Sequence, residues 1–298
     1  MEQVLINTII RGGELSLLAI GVTMVYGTLR FPNFAHVEFA TLGAYLTLFF
    51  SGFLGLDIVL AGVVAIALTA GVGMASDRLI FSHLRVAHPV MPMIASFGLG
   101  IVIREAVRGG AGTSPFFLTQ RLAERWNVFG ATITDTQVLI LVLVLIAVVG
   151  FHLLLTRTRL GIAMRAVSDN SDLARASGIF SERIIRLVWL IGAAMAALGG
   201  ILIGLETQLQ PNMGIGLIIA MFAAALLGGI GNPYGAVLGA FVVAIAENVI
   251  LSINWAWLPL VEADYFMIPT GYKEAISFAL LILVLLIRPK GILGDPSR

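Results

Sequence analysis

Cysteine is absent from the 298 residues, which excludes disulfides, thiol catalysis and cysteine-ligated metal sites. Lysine is nearly absent. Lys273 and Lys290 do not stand in the GK[ST] context of a phosphate-binding loop, so any ATP chemistry must come from another subunit. Charged residues make up 12% of the chain, about half the share usual in soluble domains. The net charge of +1, with no lysine-rich run, leaves nucleic acid no electrostatic footprint. There is no GxSxG nucleophile elbow and no serine–histidine pair on adjoining apolar runs. The histidines are residues 36, 83, 88 and 152, and the i, i+5 spacing of His83 and His88 does not place both on one helical face, so no metal site is expected. Catalysis and a resident cofactor are not expected of this chain.

What the chain has in abundance is apolar residues, 59% of the total, with a mean hydropathy of +1.00. Such a composition places it in a membrane. About nine apolar runs approach the length needed to cross ~30 Å of hydrocarbon, near 14–29, 37–55, 58–76, 90–107, 137–155, 187–206, 215–230, 235–253 and 274–287. They lack period-2 alternation, which argues for helices over a barrel. The expected fold is an all-α, polytopic transmembrane bundle of about 8 to 10 helices in a single domain over 1–298. The start, MEQVLINTIIRGGE, has no basic region before its short apolar run, so it is read as an interfacial segment or the beginning of the first span, not a cleaved signal. Gly192, Ala196, Gly200 and Gly204 recur every four residues, as do Gly231, Gly235 and Gly239, giving faces on which helices can approach closely.

One long polar island interrupts the apolar runs, at about 156–186. Six arginines (157, 159, 165, 175, 183 and 186) outweigh Asp169, Asp172 and Glu182, the balance of a loop kept in the cytoplasm. A solvated connector would show the same arginines. Ser168 and Asp169 are suited to cap a short helix, Asp172 adds charge to its first turn, and Gly178 suits the left-handed residue that closes it. With the island inside and nine spans alternating, twelve basic residues fall on the cytoplasmic side and six (Arg11, Arg104, Arg108, Arg121, Arg125 and Lys273) on or near the other. The N-terminus is then outside and the C-terminus cytoplasmic. Trp126, Trp255 and Trp257 suit the external interfacial belt.

TLRFPN at 28–33 and TQLQPN at 207–212 share the spacing TxxxPN at an offset of 179 residues. The pair reads either as an inverted repeat with broken helices near a transport path or as coincidental surface loops. Polar residues in or beside the spans are the candidates for that path: Asn33, His36, Glu38, Glu206, Gln208, Asn212 and Glu247. Solvated positions near the interface would explain Glu38 and Glu206 equally, and Glu247 reads best as a buried hydrogen-bonding residue tied to a neighbouring helix.

RAVSDNSDLARASGI at 165–179, LLGGIGNPYGAVLGA at 226–240, MVYGTLRFPNFAHVEFATLGAYL at 24–46 and RPKGILG at 288–294 together resemble the permease subunit of branched-chain amino-acid ABC importers, the LivH type. One departure is Val37, where that family commonly has glycine. The resemblance implies a path formed with a second permease chain, like or unlike, in a bacterial-type inner membrane. It also implies two cytoplasmic ATPase subunits, which carry the ATP, and an external solute-binding protein. The island would be the ATPase-coupling segment, with Ala166, Asp169, Asn170, Asp172, Ala174 and Gly178 at the dock. The likeness extends to carriers of urea and short amides, and an ion-coupled secondary transporter would use a buried carboxylate such as Glu247.

Overall fold

A backbone in hydrocarbon must satisfy its own hydrogen bonds, and a helix does so within one segment. The long apolar runs accordingly form helices in the computed structural model, which describes residues 2–85, 88–119, 124–128, 130–255, 266–288 and 291–293. In chain order these are α1 (Glu2–Leu29), α2 (His36–Gly52), α3 (Ile58–Ser76), α4 (Ser82–Leu84), α5 (Val90–Ala111) and α6 (Asp135–Arg157). They continue as α7 (Arg159–Asp169), α8 (Ser171–Ala176), α9 (Ser181–Glu206), α10 (Met213–Gly228), α11 (Pro233–Ser252) and α12 (Lys273–Ile287). Each expected apolar run coincides largely with one helix, and among the described residues seven helical stretches are long and apolar enough to cross a membrane. α2, at 17 residues, and α10, at 16, are shorter.

Two boundaries differ from the sequence reading. α1 begins at Glu2, so the first residues are no separate interfacial segment; Gly12 and Gly13 do not break it because they pack closely against Phe241 and Val144. The expected loop before α6 contains a hairpin of β1 (Arg125–Val128) and β2 (Ala131–Thr134), antiparallel with Arg125 opposite Thr134. Gln3 Oε1 of α1 accepts the Thr132 N–H at 2.9 Å and ties the hairpin to the start of α1. Trp257, and Pro289, Lys290 and Gly294 of the RPKGILG stretch, lie outside the described residues.

α1 and α9 form the centre, with 89% and 72% of their spans buried, against 22% for α6 and 11% for the stretch ending in α12. α1 packs on α9 and α11, α9 also on α2 and α3, and α10 on α11. Small residues make these seams. A Cβ on Gly200 would collide with the Ala40 carbonyl, and one on Gly43 would stand 2.6 Å from the Ala197 methyl, so α2 and α9 touch backbone to backbone. Gly228 with Gly235, and Ala224 with Gly239, do the same for α10 and α11. Gly231 belongs to the turn between those helices, with φ +89°, and not to their seam.

The bundle has two distinct ends. At one lie the start of α1, the hairpin and the 207–212 segment, joined by bonds such as Gln137 Nε2 to Glu206 Oε1 at 2.9 Å. At the other, α7 lies against the end of α1, where the Ser168 hydroxyl donates to Gly27 O at 3.0 Å, and α8 follows against α7 and α9. There residues 291–293 also clasp the end of α10, Ile292 N donating to Leu227 O at 2.7 Å and Leu293 N to Gly228 O at 3.1 Å.

Candidate functional site

The polar island folds as an elbow of two helices where the sequence reading expected one. Leu160, Met164 and Val167 form an apolar stripe at helical spacing, Met164 and Val167 being buried, and this carries α7 on to Asp169. Ser168 and Asp169 therefore end α7 and do not cap the next helix. The cap is Asn170, whose extended backbone (φ −154°) lets Oδ1 accept the N–H groups of Asp172 and Leu173 at 3.0 Å each. The expected stop is where the sequence put it: Gly178 has φ +83°, Gly178 N donates to Arg175 O and Ile179 N to Ala174 O. Of the expected dock residues, Ala174 is buried, Ala166 half-buried, and Asp169, Asn170, Asp172 and Gly178 exposed. Leu173 is 64% exposed, an apolar side chain on a six-residue helix stiffened at both ends.

The elbow is braced from the side. Arg85 reaches both oxygens of buried Asp77 at 2.7 and 2.8 Å and also pairs with Glu182 in the first turn of α9. Asp77 opens a π-helical turn, Asp77–Phe81, and Phe81 stacks between Trp189 at 4.6 Å and Phe31 at 5.5 Å. That stack links the elbow end of α9 to the segment holding Pro32 and Asn33. A cavity of about 550 Å³ opens at this end, lined by Met24, Arg30, Met164, Ser168, Ile230 and Tyr234 among others.

The two TxxxPN stretches each separate a long helix from a shorter one, but their asparagines differ. After α1 the chain turns back into the bundle. Arg30 is left-handed (φ 60°), Phe34 N donates to Ser96 Oγ at 3.1 Å, and Asn33, fully buried, accepts the Ala35 N–H at 3.1 Å. His36 starts α2 and is buried against Gly21 and Gly192. Gly21 lies eight residues before the end of α1, so the chain has re-entered by ~12 Å at 1.5 Å per residue. After α9, Leu209 exchanges backbone bonds with Phe116 at 2.8 and 3.0 Å, and Asn212 stays exposed, accepting from Arg108 Nη2 at 3.2 Å.

The seven expected path residues thus fall into three groups. Asn33, His36 and Glu38 line the first break, and Asn212 approaches them through α5, where Arg104 Nε donates to Glu38 Oε1 at 3.1 Å. Glu247 lies elsewhere, held by the Ser277 hydroxyl on one oxygen and Arg11 Nε at 3.2 Å on the other, the helix-tying role read from sequence. Glu206 and Gln208 are exposed at the hairpin end and join neither group. Arg11, Glu14, Asp77, Arg85 and Arg104 were not singled out as site residues from sequence. Their signal is a charge inside or at the edge of an apolar run, and Arg11, Arg85 and Arg104 enter the sequence reading only through the balance of basic residues between the two sides.

The family described as "Branched-chain amino acid transport system / permease component" matches residues 4–285. The high-affinity branched-chain amino acid transport permease LivH of Escherichia coli (strain K12) is 34% identical over 309 residues, covering 99% of this chain and 96% of the relative. The corresponding protein BraD of Pseudomonas aeruginosa is 34% identical over 310 residues, with 99% and 96% covered. Among solved structures, PsaBC from Streptococcus pneumoniae in complex with Fab aligns with a TM-score of 0.50 at 13% identity, over 95% of this chain and 91% of that one, a likeness of fold alone. With its apolar helices and a family match over nearly its whole length, this chain belongs to the branched-chain amino acid transport permeases.

Proposed function

We propose that the chain forms the membrane path of an ABC importer for branched-chain amino acids, with ATP bound and hydrolysed on two separate cytoplasmic subunits. A second permease chain completes the path and an external binding protein delivers the solute. The elbow is the observation that carries this reading. A short helix capped by Asn170, stopped at Gly178, presenting Leu173 and backed by buried α7 residues is a rigid knob suited to a groove on another protein. Its arginine excess supports a cytoplasmic position for that end, with the N-terminus outside and the C-terminus inside. The path is read along the two breaks, with α1–α2–α3 and α9–α10–α11 as an inverted pair: each has a long helix, a PN break, a shorter helix and a further span, α1 packing on α11 as α9 packs on α3. An ion-coupled carrier is less well supported, since both oxygens of Glu247 are engaged by Arg11 and Ser277.

The test is reconstitution of the chain with its ATPase, second permease and binding subunits in proteoliposomes. Leucine, isoleucine or valine uptake that requires ATP supports the reading. Uptake driven by an ion gradient in the chain alone overturns it. For orientation, Thr119→Cys should react with an impermeant thiol label added outside intact cells, and Ser177→Cys only after the membrane is opened; the reverse pattern inverts the topology.

A further inference from the structure

Among the described residues, four buried carboxylates pair with arginine: Glu14, Glu38, Asp77 and Glu247. Asp77 has both oxygens on Arg85, and Glu247 has one on Arg11 and one on Ser277. Those two are closed pairs, whereas Glu14 and Glu38 each leave one oxygen without a partner, Glu14 meeting Arg11 only at 3.9 Å within α1. Glu38, 1% exposed, spends one oxygen on Arg104 and leaves Oε2 without a hydrogen-bond partner. An unpaired oxygen on a buried carboxylate is costly and invites a donor.

Its surroundings suit a ligand. Glu38 stands in the first turn of α2, and Gly214 is the second residue of α10. A Cβ on Gly214 would lie 2.8 Å from Glu38 Oε2 and 2.8 Å from Thr41 Oγ1, so the starts of the two shorter helices meet at this carboxylate. Arg104 is only partly covered, its side chain 15% exposed, and beside it the open face of α5 carries Ile101 at 40%, Glu105 at 50% and Arg108 at 39%. Charges on the face of an apolar span are expensive against lipid, so this face, in the last two turns of α5, suits a protein-lined, wet space.

We propose that Glu38 and Arg104 are the pair that reads the head group of the transported amino acid, Glu38 receiving its ammonium and Arg104 its carboxylate. The inference rests on the function proposed above. A zwitterion can replace the two side chains as each other's partners one for one: the Glu38–Arg104 bond opens, the ligand ammonium pairs with the Glu38 carboxylate and the ligand carboxylate with the Arg104 guanidinium, and no net charge is left buried. The empty site is thereby kept neutral by its own ion pair, while Ile101 and Phe34 offer apolar surface nearby for an aliphatic side chain. Phe34, four residues before Glu38, packs on Phe222 of α10 at 5.2 Å and on Phe97 of α5 at 6.3 Å.

The experiment compares Glu38→Gln, Arg104→Gln, the charge swap Glu38→Arg/Arg104→Glu and the retracted pair Glu38→Asp/Arg104→Lys in the reconstituted complex with its loaded binding protein. Initial uptake and the Tm of the complex are both read. Each single variant should lower uptake by about 100-fold, the range expected when one partner of a desolvated charge pair is removed. The swap should regain Tm by restoring the pair, while its uptake stays at the level of the single variants, because the ammonium and carboxylate sites have changed places with respect to the path. The retracted pair, keeping both charges, should hold Tm near wild type and lose uptake at least about tenfold. Uptake that rises and falls with Tm across the set, a swap that restores both, or wild-type uptake in the single variants overturns the proposal. A wild-type complex that imports no branched-chain amino acid overturns instead the function on which it rests, and the same wild-type measurement separates the two failures.

Discussion

Residues 28–33 and 207–212 are written alike, T…PN in each, yet Asn33 is fully buried and Asn212 is exposed. In the first, the chain turns back among α1, α5 and α9, where the backbone finds protein partners, Phe34 N donating to Ser96 Oγ and Ala35 N to Asn33 Oδ1, while Asn33 Nδ2 and both His36 ring nitrogens are buried without one. In the second, the chain stays at the end of the bundle, tied by Leu209 to Phe116, and its polar side chains point outward. Proline and asparagine specify that a helix stops. What the break is for depends on the helices around it, which the hexapeptide does not encode.

That difference predicts unequal costs for equal mutations. The largest effect should come from closing the seam that holds the first break in place. Gly200→Leu would drive a side chain into the Ala40 carbonyl of α2, and overpacking of about 1–3 kcal/mol or more should leave little folded protein, read as loss of the monodisperse peak after detergent extraction. The neighbouring Gly199→Ala meets only the Leu18 and Leu17 side chains, at 3.2 to 3.4 Å, and should be tolerated far better.

Next in size is Asn33→Leu. It removes the acceptor for Ala35 N in a fully buried site, and an unpaired buried N–H costs about 1–3 kcal/mol. A lowered Tm with reduced uptake is expected, and a wild-type Tm would show that the first break is as loosely held as the second.

At the elbow, Gly178→Val forces a β-branched residue to φ +83°, a strain of about 1–3 kcal/mol that one local turn has to absorb. Because nothing lies within 4 Å of the missing Cβ, the cost is conformational and not steric. The protein should insert and extract normally while ATP hydrolysis proceeds with poor uptake. Full coupling in this variant would separate the left-handed turn from the dock.

The elbow and the breaks also mark where the sequence could be read. Helix content and the nine apolar runs were legible because hydrocarbon length and apolar composition are local properties. So was the Gly178 stop, which depends on one residue. The cap was misplaced by one or two positions because Ser168, Asp169 and Asn170 are all competent caps, and the choice was made by Met164 and Val167 docking α7 onto the bundle. The Glu38–Arg104 and Arg11–Glu247 pairs were illegible for a different reason. Their partners lie 66 and 236 residues apart, so no window of sequence contains both, and Arg104 near the end of its apolar run looks like any charge at a span boundary.

The smallest effect should be at the second break. Asn212→Leu removes a bond of 3.2 Å between an exposed asparagine and Arg108, which already has Glu105 one turn away at 3.3 Å. Exposed polar contacts of this kind contribute little, so Tm should change by an amount equivalent to less than about 0.5 kcal/mol and uptake should stay within about twofold of wild type. Pairing this variant with Asn33→Leu turns the comparison of the two breaks into a measured difference. Equal losses from both would mean that Asn212 becomes buried in the assembled transporter, against a surface that the isolated chain leaves open.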